Sequence, residues 1–305
     1  MHSTKISVIV PSYNGAHKLP NILKALEAQT IQDFETVVVV DGSTDNTREV
    51  LEGTQWKLKG LNVVYRQNGG RAVARNAGVE AAHGDLLVFF DDDVRPIPEC
   101  LALHVQHAVA KPHTILVGPP FEEISKMKTD FQLFRAYLSR TWLPAEGYGL
   151  IPNAQPFITA ADFSLSKSLF DQLGGFDKRL NDAEDFDLAV RAVQQQVPIY
   201  FNKDAVVWHD DFVTCRLMIK RHRQYRQSHL MLQTLKPDLY KHFVQYEPAP
   251  IGTAKKTIYW FFSQKFWLWS IDKFNWLRIL PKKVRYKIYN IVLTGYSVYF
   301  INKKI

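Results

Sequence analysis

Four short, almost continuously apolar runs do most to constrain the fold: "ISVIV" (6–10), "ETVVVV" (35–40), "LNVVY" (61–65) and "DLLVFF" (85–90). Such runs leave no face for water, so each strand needs cover on both sides, and their β-branched residues suit a pleated backbone. Between them lie stretches of helical character. These are Leu19 to Ala28, a segment after "DGSTDNT" that offers Ser43, Thr44 and Asp45 as N-cap candidates, and the Ala-rich stretch Arg71 to Ala82. Buried strands alternating with helices predict an α/β domain: a mostly parallel sheet with helices on both faces.

In a sheet of that kind ligands collect outside the carboxyl ends of the strands. Every run here stops in a polar loop: "PSYNG" after the first, "DGSTD" after the second, "NGGR" after the third and "DDD" after the fourth. Four polar loops on one rim build one site. The last places Asp91, Asp92 and Asp93 side by side at the end of a buried strand. Carboxylates this close repel one another, and a cation is the simplest way to keep them all ionised.

Further along, "ITAADFSLS" (158–166) reads as a strand and "KSLFDQLGGFD" as a short helix closed by Gly174. "NDAEDFDLAVRAVQQQ" (181–196) reads as a helix whose acids sit where the helix dipole favours negative charge. "PIYFNKDAVVWHDD" (198–211) reads as a strand ending in His209.

After about residue 212 the composition changes. Residues 1–210 hold 20 Lys+Arg against 26 Asp+Glu, a balance of −6, whereas residues 211–305 hold 18 against 4, a balance of +14. From Tyr259 to Phe300 the chain is dense in Trp, Tyr and Phe, punctuated by Lys and Arg. No uncharged run there reaches the roughly 18 residues of a membrane-spanning helix. Aromatic and basic residues together suit helices lying in an anionic membrane interface, with packing onto the catalytic domain as the alternative. Nucleic acid is not an expected partner, because no recognised binding motif accompanies the charge.

The expected organisation is therefore a domain over 1–212, in halves 1–120 and 121–212, followed by a helical, basic and aromatic region over 213–305. Only two cysteines occur, Cys100 and Cys215, in no metal-type spacing, and they read as reduced thiols. The first residues run directly into a strand pattern without the apolar stretch of a signal peptide. The expected location is cytoplasmic, peripheral on the inner face of the cell membrane.

The order of these motifs resembles the family 2 glycosyltransferases, whose fold is the GT-A nucleotide-sugar-binding fold. The matching text is "SVIVPSYNGAHKLPNILKAL", "VVVVDGSTDNT", "NGGRAVARNAGVEAAHGDLLVFFDDD", "LGGFDKRLNDAEDFDLAVRA" and "VVWHD", spread over roughly residues 5 to 212. The resemblance implies inverting transfer of a sugar from a nucleotide-sugar, UDP-linked by preference, to a hydroxyl of a saccharide or lipid-linked acceptor, with 1–120 as the nucleotide-binding half and 121–212 as the acceptor half. It also implies Mg²⁺ or Mn²⁺, which would neutralise the leaving diphosphate.

Residue by residue, Asp91 and Asp93 match the D-x-D motif, Asp93 for the metal and Asp91 for ribose or metal, with Asp92 in the middle position on the donor side. His209 matches a histidine that completes the metal site in some relatives; a packed histidine is the alternative. Pro11 and Tyr13 follow the first strand, where Tyr13 would stack on the base and Asp41 would hydrogen-bond it. Arg71 and Arg75 would reach the diphosphate, unless one serves as an ion-pair partner. In "AEDFD" the acids match the E-D motif, with Asp185 as the general base and Glu184 as its fallback.

Asp162 stands where many relatives carry Asn and is expected to line the sugar or acceptor pocket. Trp142 and Tyr148 are candidate sugar-stacking platforms in a segment, 121–153, that matches nothing firmly. Two other readings keep the same rim: a nucleotidyltransferase, and a nucleotide-sugar-binding scaffold without chemistry. P-loop and dinucleotide motifs are absent from the sequence.

Overall fold

A computed structural model describes residues 5–144, 147–180, 182–241, 243 and 250–305. Numbered in chain order, the strands are β1 (Ile6–Ser12), β2 (Glu35–Asp41), β3 (Leu61–Arg66), β4 (Leu86–Phe90), β5 (Val94–Pro96), β6 (Ile115–Val117), β7 (Pro120–Phe121), β8 (Tyr148–Leu150), β9 (Asp162–Ser166), β10 (Ile199–Asn202) and β11 (Val207–His209). The chain forms two compact units, Met1–Phe121 with Leu143–Asp210, and Glu122–Trp142 with Asp211–Ile305.

The first unit holds an eight-stranded sheet in the order β3-β2-β1-β4-β9-β6-β10-β8 and a three-stranded sheet β5-β11-β7. Strands β1 to β4, β6 and β10 run one way, and β9 and β8 run against them. Along β1, β2 and β4, side chains alternate between two buried faces. Ile9, Val37, Val39, Leu87 and Phe89 enter one core, and Val8, Val10, Val38, Val40, Val88 and Phe90 the other.

The first core is covered by helices α3 (Arg71–Glu80), α6 (Lys167–Gln172) and α7 (Glu184–Gln194), and the second by α1 (Leu19–Glu27) and α4 (Cys100–Ala110). A short α2 (Thr47–Gly53) follows the β2 loop and adds Leu51 to the second core. This double cover is why the strands read as unbroken apolar runs. The strand expected over 158–166 is shorter, because 158–161 remain outside the ladder and lead into β9.

The second unit is built from α5 (Asp130–Trp142), α8 (Cys215–Leu235), α9 (Pro237–Tyr240), α10 (Thr253–Phe262), α11 (Lys265–Lys273) and α12 (Lys282–Thr294). Here the structure corrects the expected boundary: 122–142 group with 211–305 and not with an acceptor half. The reason is packing. Phe131 and Phe134 of α5 lie against Tyr289 and Tyr286 of α12, with ring centroids 5.5 and 5.0 Å apart. Fully buried Asp130 accepts hydrogen bonds from Arg285 Nε (2.6 Å) and Tyr289 Oη (2.9 Å). Thr214 caps α8 through Leu217 N–H, and Asp272 accepts the N–H groups of Cys215 and Arg216. No helix among the described residues is long and apolar enough to cross a membrane.

One glycine sets how closely α3 can lie on the sheet. A Cβ on Gly78 would sit 2.5 Å from Ile9 Cγ2 and 3.3 Å from Val39 Cγ2. Helix propensity favours Ala over Gly by about 1 kcal/mol, but overpacking a rigid core costs roughly 1–3 kcal/mol. Gly78→Ala is therefore expected to lower stability despite its better propensity, read as a lower urea midpoint at unchanged slope.

Candidate active site

The strand register brings the four loops to one rim: Ser12 pairs with Val40, Asp41 with Arg66, and Ile9 with Phe89. The loop after β1 is zipped to the loop after β2. Asn14 N–H donates to Ser43 Oγ (2.9 Å), Gly15 N–H to Thr47 Oγ1 (2.9 Å) and Ala16 N–H to Asp45 Oδ2 (3.2 Å), while Asn14 Oδ1 accepts Thr44 N–H (2.8 Å). The expected cap residues thus chiefly join two loops, although Asp45 also accepts Thr47 N–H. Beside this frame Tyr13 stands about half exposed, its ring open to a ligand.

Asp41 has a different task from the base contact expected of it. Its carboxylate accepts the N–H groups of Gly69 (3.0 Å) and Gly70 (2.9 Å) and pairs with Arg66, which leaves it buried. It therefore anchors the "NGG" loop that leads into α3. Asp92 is likewise turned away from the donor side. It accepts Ser12 Oγ–H (2.6 Å) and pairs with Lys18 Nζ (3.1 Å), tying the end of β4 to the start of α1. Burial pushes its carboxyl up to about 6 against the pull of Lys18.

Asp91 and Asp93 keep partly exposed side chains, 32% and 23%. Asp91 Oδ1 lies 2.6 Å from Arg75 Nη2, and Arg75 also grips Glu184 at the start of α7. Only 2% of the Arg75 side chain is exposed, so it is a buried bridge between two carboxylates, the ion-pair alternative of the sequence reading, and does not reach a diphosphate. Burial works to raise the Asp91 carboxyl, but the Arg75 and Arg71 guanidinium charges overcome it and hold the group below the ordinary carboxylate range. Arg71, one helical turn earlier, remains 65% exposed and touches Asp182 at 3.2 Å, free to meet a ligand at the rim.

Glu184 is buried in the Arg75 pair, whereas its neighbour Asp185 is only partly buried. Asp185 Oδ2 accepts Ala160 N–H (3.2 Å) and Oδ1 accepts Phe186 N–H (2.8 Å). Burial and the adjacent Glu184 charge push its carboxyl up to about 7. A group poised there is suited to taking a proton at neutral pH.

Pairing of β11 with β5 sets His209 opposite Val94, next to Asp93. Arg95 fixes this crossing by holding Asp210 with Nε and Nη2 at 2.7 and 2.9 Å. His209 Nε2 and Asp93 Oδ1 lie 3.8 Å apart, beyond a hydrogen bond, and an imidazole beside carboxylates fits a divalent ion such as Mn²⁺ or Mg²⁺. A second grouping, Cys100, His104 and Asp162, has ligand atoms within 4.8 Å of one another. It does not fit an ion, because both ring nitrogens of His104 are already engaged, by Asp162 Oδ1 (2.8 Å) and Ser164 Oγ (2.7 Å).

Asp162 is accordingly no pocket residue. It is fully buried under α4 and paired across the sheet with Phe90, and burial raises its carboxyl against the pull of His104. Tyr148 is also placed elsewhere. It stacks on Tyr200 and bonds His107 from β8, four strand spacings or roughly 19 Å from β4. Trp142 ends α5 in the second unit and is not among the residues the first unit gathers at its rim. Pro11 lies within β1, paired with Val39. Hidden from the sequence was which of the two arginines serves as the ion-pair partner, and that it joins Asp91 to Glu184.

Residues 7–174 match the sequence model described as glycosyl transferase family 2. Validoxylamine A glucosyltransferase of Streptomyces hygroscopicus subsp. jinggangensis is 28% identical over 243 residues, 67% of this chain and 55% of that protein. An uncharacterized glycosyltransferase of Nostoc sp. is 41% identical over 90 residues, 29% of this chain and 28% of its own length. This chain thus spans about half or less of these relatives. Among solved structures, mannosyltransferase PcManGT from Pyrobaculum calidifontis, in complex with GDP-Man and Mn²⁺, aligns with TM-score 0.65 at 19% identity over 100% of this chain and 89% of its own. S. aureus TarS aligns with TM-score 0.55 at 19% identity over 98% of this chain and 54% of its own.

Replacing Arg75 by Met is expected to be severe, because it leaves Glu184 charged in the interior and Asp91, part-buried, without its cation. Loss of one partner of a buried pair costs roughly 3–5 kcal/mol. Urea unfolding should show that loss at pH 8 and a smaller one at pH 5, where carboxylates begin to take up protons.

Proposed function

The chain belongs to glycosyl transferase family 2 and has the GT-A fold, and from that premise we propose that it transfers a sugar, with inversion, from a nucleoside-diphosphate sugar to an acceptor hydroxyl. The observation that carries this reading is the Asp91–Arg75–Glu184 bridge, which puts the acids at the end of β4 and the acid at the start of α7 on one frame. PcManGT was solved with GDP-Man and Mn²⁺, and TarS with UDP, which supports a nucleotide-linked donor and a divalent ion here. UDP is the favoured carrier, and the acceptor is a saccharide or a lipid-linked sugar of the cell surface, met at the inner face of the membrane.

Asp93 with His209, and Asp91 beside them, would hold Mg²⁺ or Mn²⁺, which supplies positive charge to the departing diphosphate. The chain's own residues do the rest. Tyr13 offers a flat face to the base. Arg71, exposed above the rim, adds a guanidinium charge for the diphosphate. Asp185 accepts the proton of the acceptor hydroxyl as that oxygen bonds to the anomeric carbon, while the bond from carbon to the diphosphate oxygen breaks on the opposite face. One displacement inverts the anomeric centre. Ala160 N–H holds the Asp185 carboxylate in place without protonating it. Positive charge developing on the sugar ring is stabilised by the same carboxylate.

Two experiments test this. A panel of nucleotide-sugars with Mn²⁺ should yield one that raises the melting temperature, an effect abolished by chelation and by Asp93→Ala. Absence of any stabilising donor would overturn the reading, and release of pyrophosphate from a nucleoside triphosphate would mark a nucleotidyltransferase instead.

The second concerns pH. Because Asp185 must be ionised to accept a proton and its carboxyl is pushed up to about 7, kcat/KM should be low at pH 5.5 and rise through about pH 7 to a plateau. Asp185→Asn should keep donor-induced stabilisation while losing about 10³-fold or more in turnover. Near-normal turnover would remove it as the base.

A further inference from the structure

We infer that the outer face of α11 and the turn after it form a docking surface for an anionic lipid bilayer. This deepens the membrane attachment proposed above by assigning it to particular side chains of the second unit.

Helix α11 has already met its core needs with Leu268 and Ile271, both nearly fully buried. The side chains left outside are nevertheless large and apolar. Phe266 is 57% exposed, Trp269 49%, Phe274 55% and Ile279, in the 3₁₀ turn that follows, 80%. Trp269 and Phe274 pack edge to face at 4.3 Å, so the patch is a preformed wedge. A water-facing helix normally carries polar residues at such positions.

The charge around the wedge says what covers it. Between Thr253 and Lys287 the sequence holds nine Lys or Arg and one acid, Asp272. That acid is engaged inward by the N–H groups of Cys215 and Arg216. Among the cations Arg285 is held by buried Asp130, whereas Lys265 and Lys273 flank the wedge on the outer face of α11 and are exposed. The face is thus apolar at its centre, cationic at its rim and without an outward carboxylate. A bilayer containing anionic lipid matches both features at once, with aromatic rings at headgroup depth and ammonium groups beside the phosphates. An aliphatic tip such as Ile279 suits acyl chains and gives nothing to a nucleobase.

Co-sedimentation of the full chain with vesicles of phosphatidylcholine alone, and of phosphatidylcholine with phosphatidylglycerol, tests the assignment. Binding is expected only to the second, weakening as salt is raised, with quenching of tryptophan fluorescence by brominated acyl chains. Trp269→Ser with Phe274→Ser, and separately Lys265→Glu with Lys273→Glu, should each reduce partitioning by about tenfold or more. Val109→Ser, an exposed apolar site on the first unit, should leave it unchanged. Donor-induced thermal stabilisation, measured without vesicles, should be the same in every variant, which separates this surface from the transfer chemistry. Unchanged vesicle binding in both double variants would overturn the proposal. So would concentration-dependent self-association that shields Trp269, or binding of single-stranded oligonucleotide in preference to vesicles.

Discussion

Arg75 is the interaction on which the first unit's site depends. A guanidinium with almost no exposed surface lies between Asp91, at the end of a central strand, and Glu184, at the start of a helix 93 residues later. Neither Glu184 nor the arginine would tolerate burial alone, and part-exposed Asp91 completes the charge balance. Together they turn desolvation penalties into a geometric constraint. The constraint fixes the distance between the end of β4 and the start of α7. It also leaves Asp185, the unpaired neighbour of Glu184, as the carboxylate whose proton affinity is raised.

Around that bridge the acids divide by orientation. Asp41, Asp92 and Asp162 are turned into the protein, where they hold a glycine loop, the first loop with α1, and a histidine under α4. Asp91, Asp93 and Asp185 keep part of their surface toward solvent. The rim therefore has two kinds of carboxylate, those that shape loops and those that keep an open face, and both kinds come from the same motifs.

That division explains what was legible in the sequence. The sheet was, because a strand covered on both faces writes itself as an unbroken apolar run, and the rim was, because polar loops recur after every run. The motif positions put the acids in the loops at the strand ends, where the structure also has them. They did not reveal which way each side chain turns, since neighbouring carboxylates in "DDD" differ only by the partner each finds, Arg75 or Ser12 with Lys18. The grouping of α5 with the C-terminal helices was also hidden. Its apolar face, Phe131 and Phe134, carries no mark saying which core will receive it, and the matching tyrosines lie some 150 residues away. Tyr148 has the same origin of ambiguity, because an exposed aromatic ring does not encode that Tyr200 and His107 will be its neighbours.

Strand β9 runs against β4 and β6, and that reversal has a consequence for how such a scaffold diversifies. A reversed strand delivers its entrance, where its neighbours deliver their exits, so the segment leading into Asp162 arrives at the ligand edge of the sheet. Only one of its backbone amides, that of Ala160, is committed to Asp185. Ile158 and Ala161 of that segment are anchored in the two cores, whereas 152–155 are exposed, so variation there can change what borders the rim without shifting the ladder.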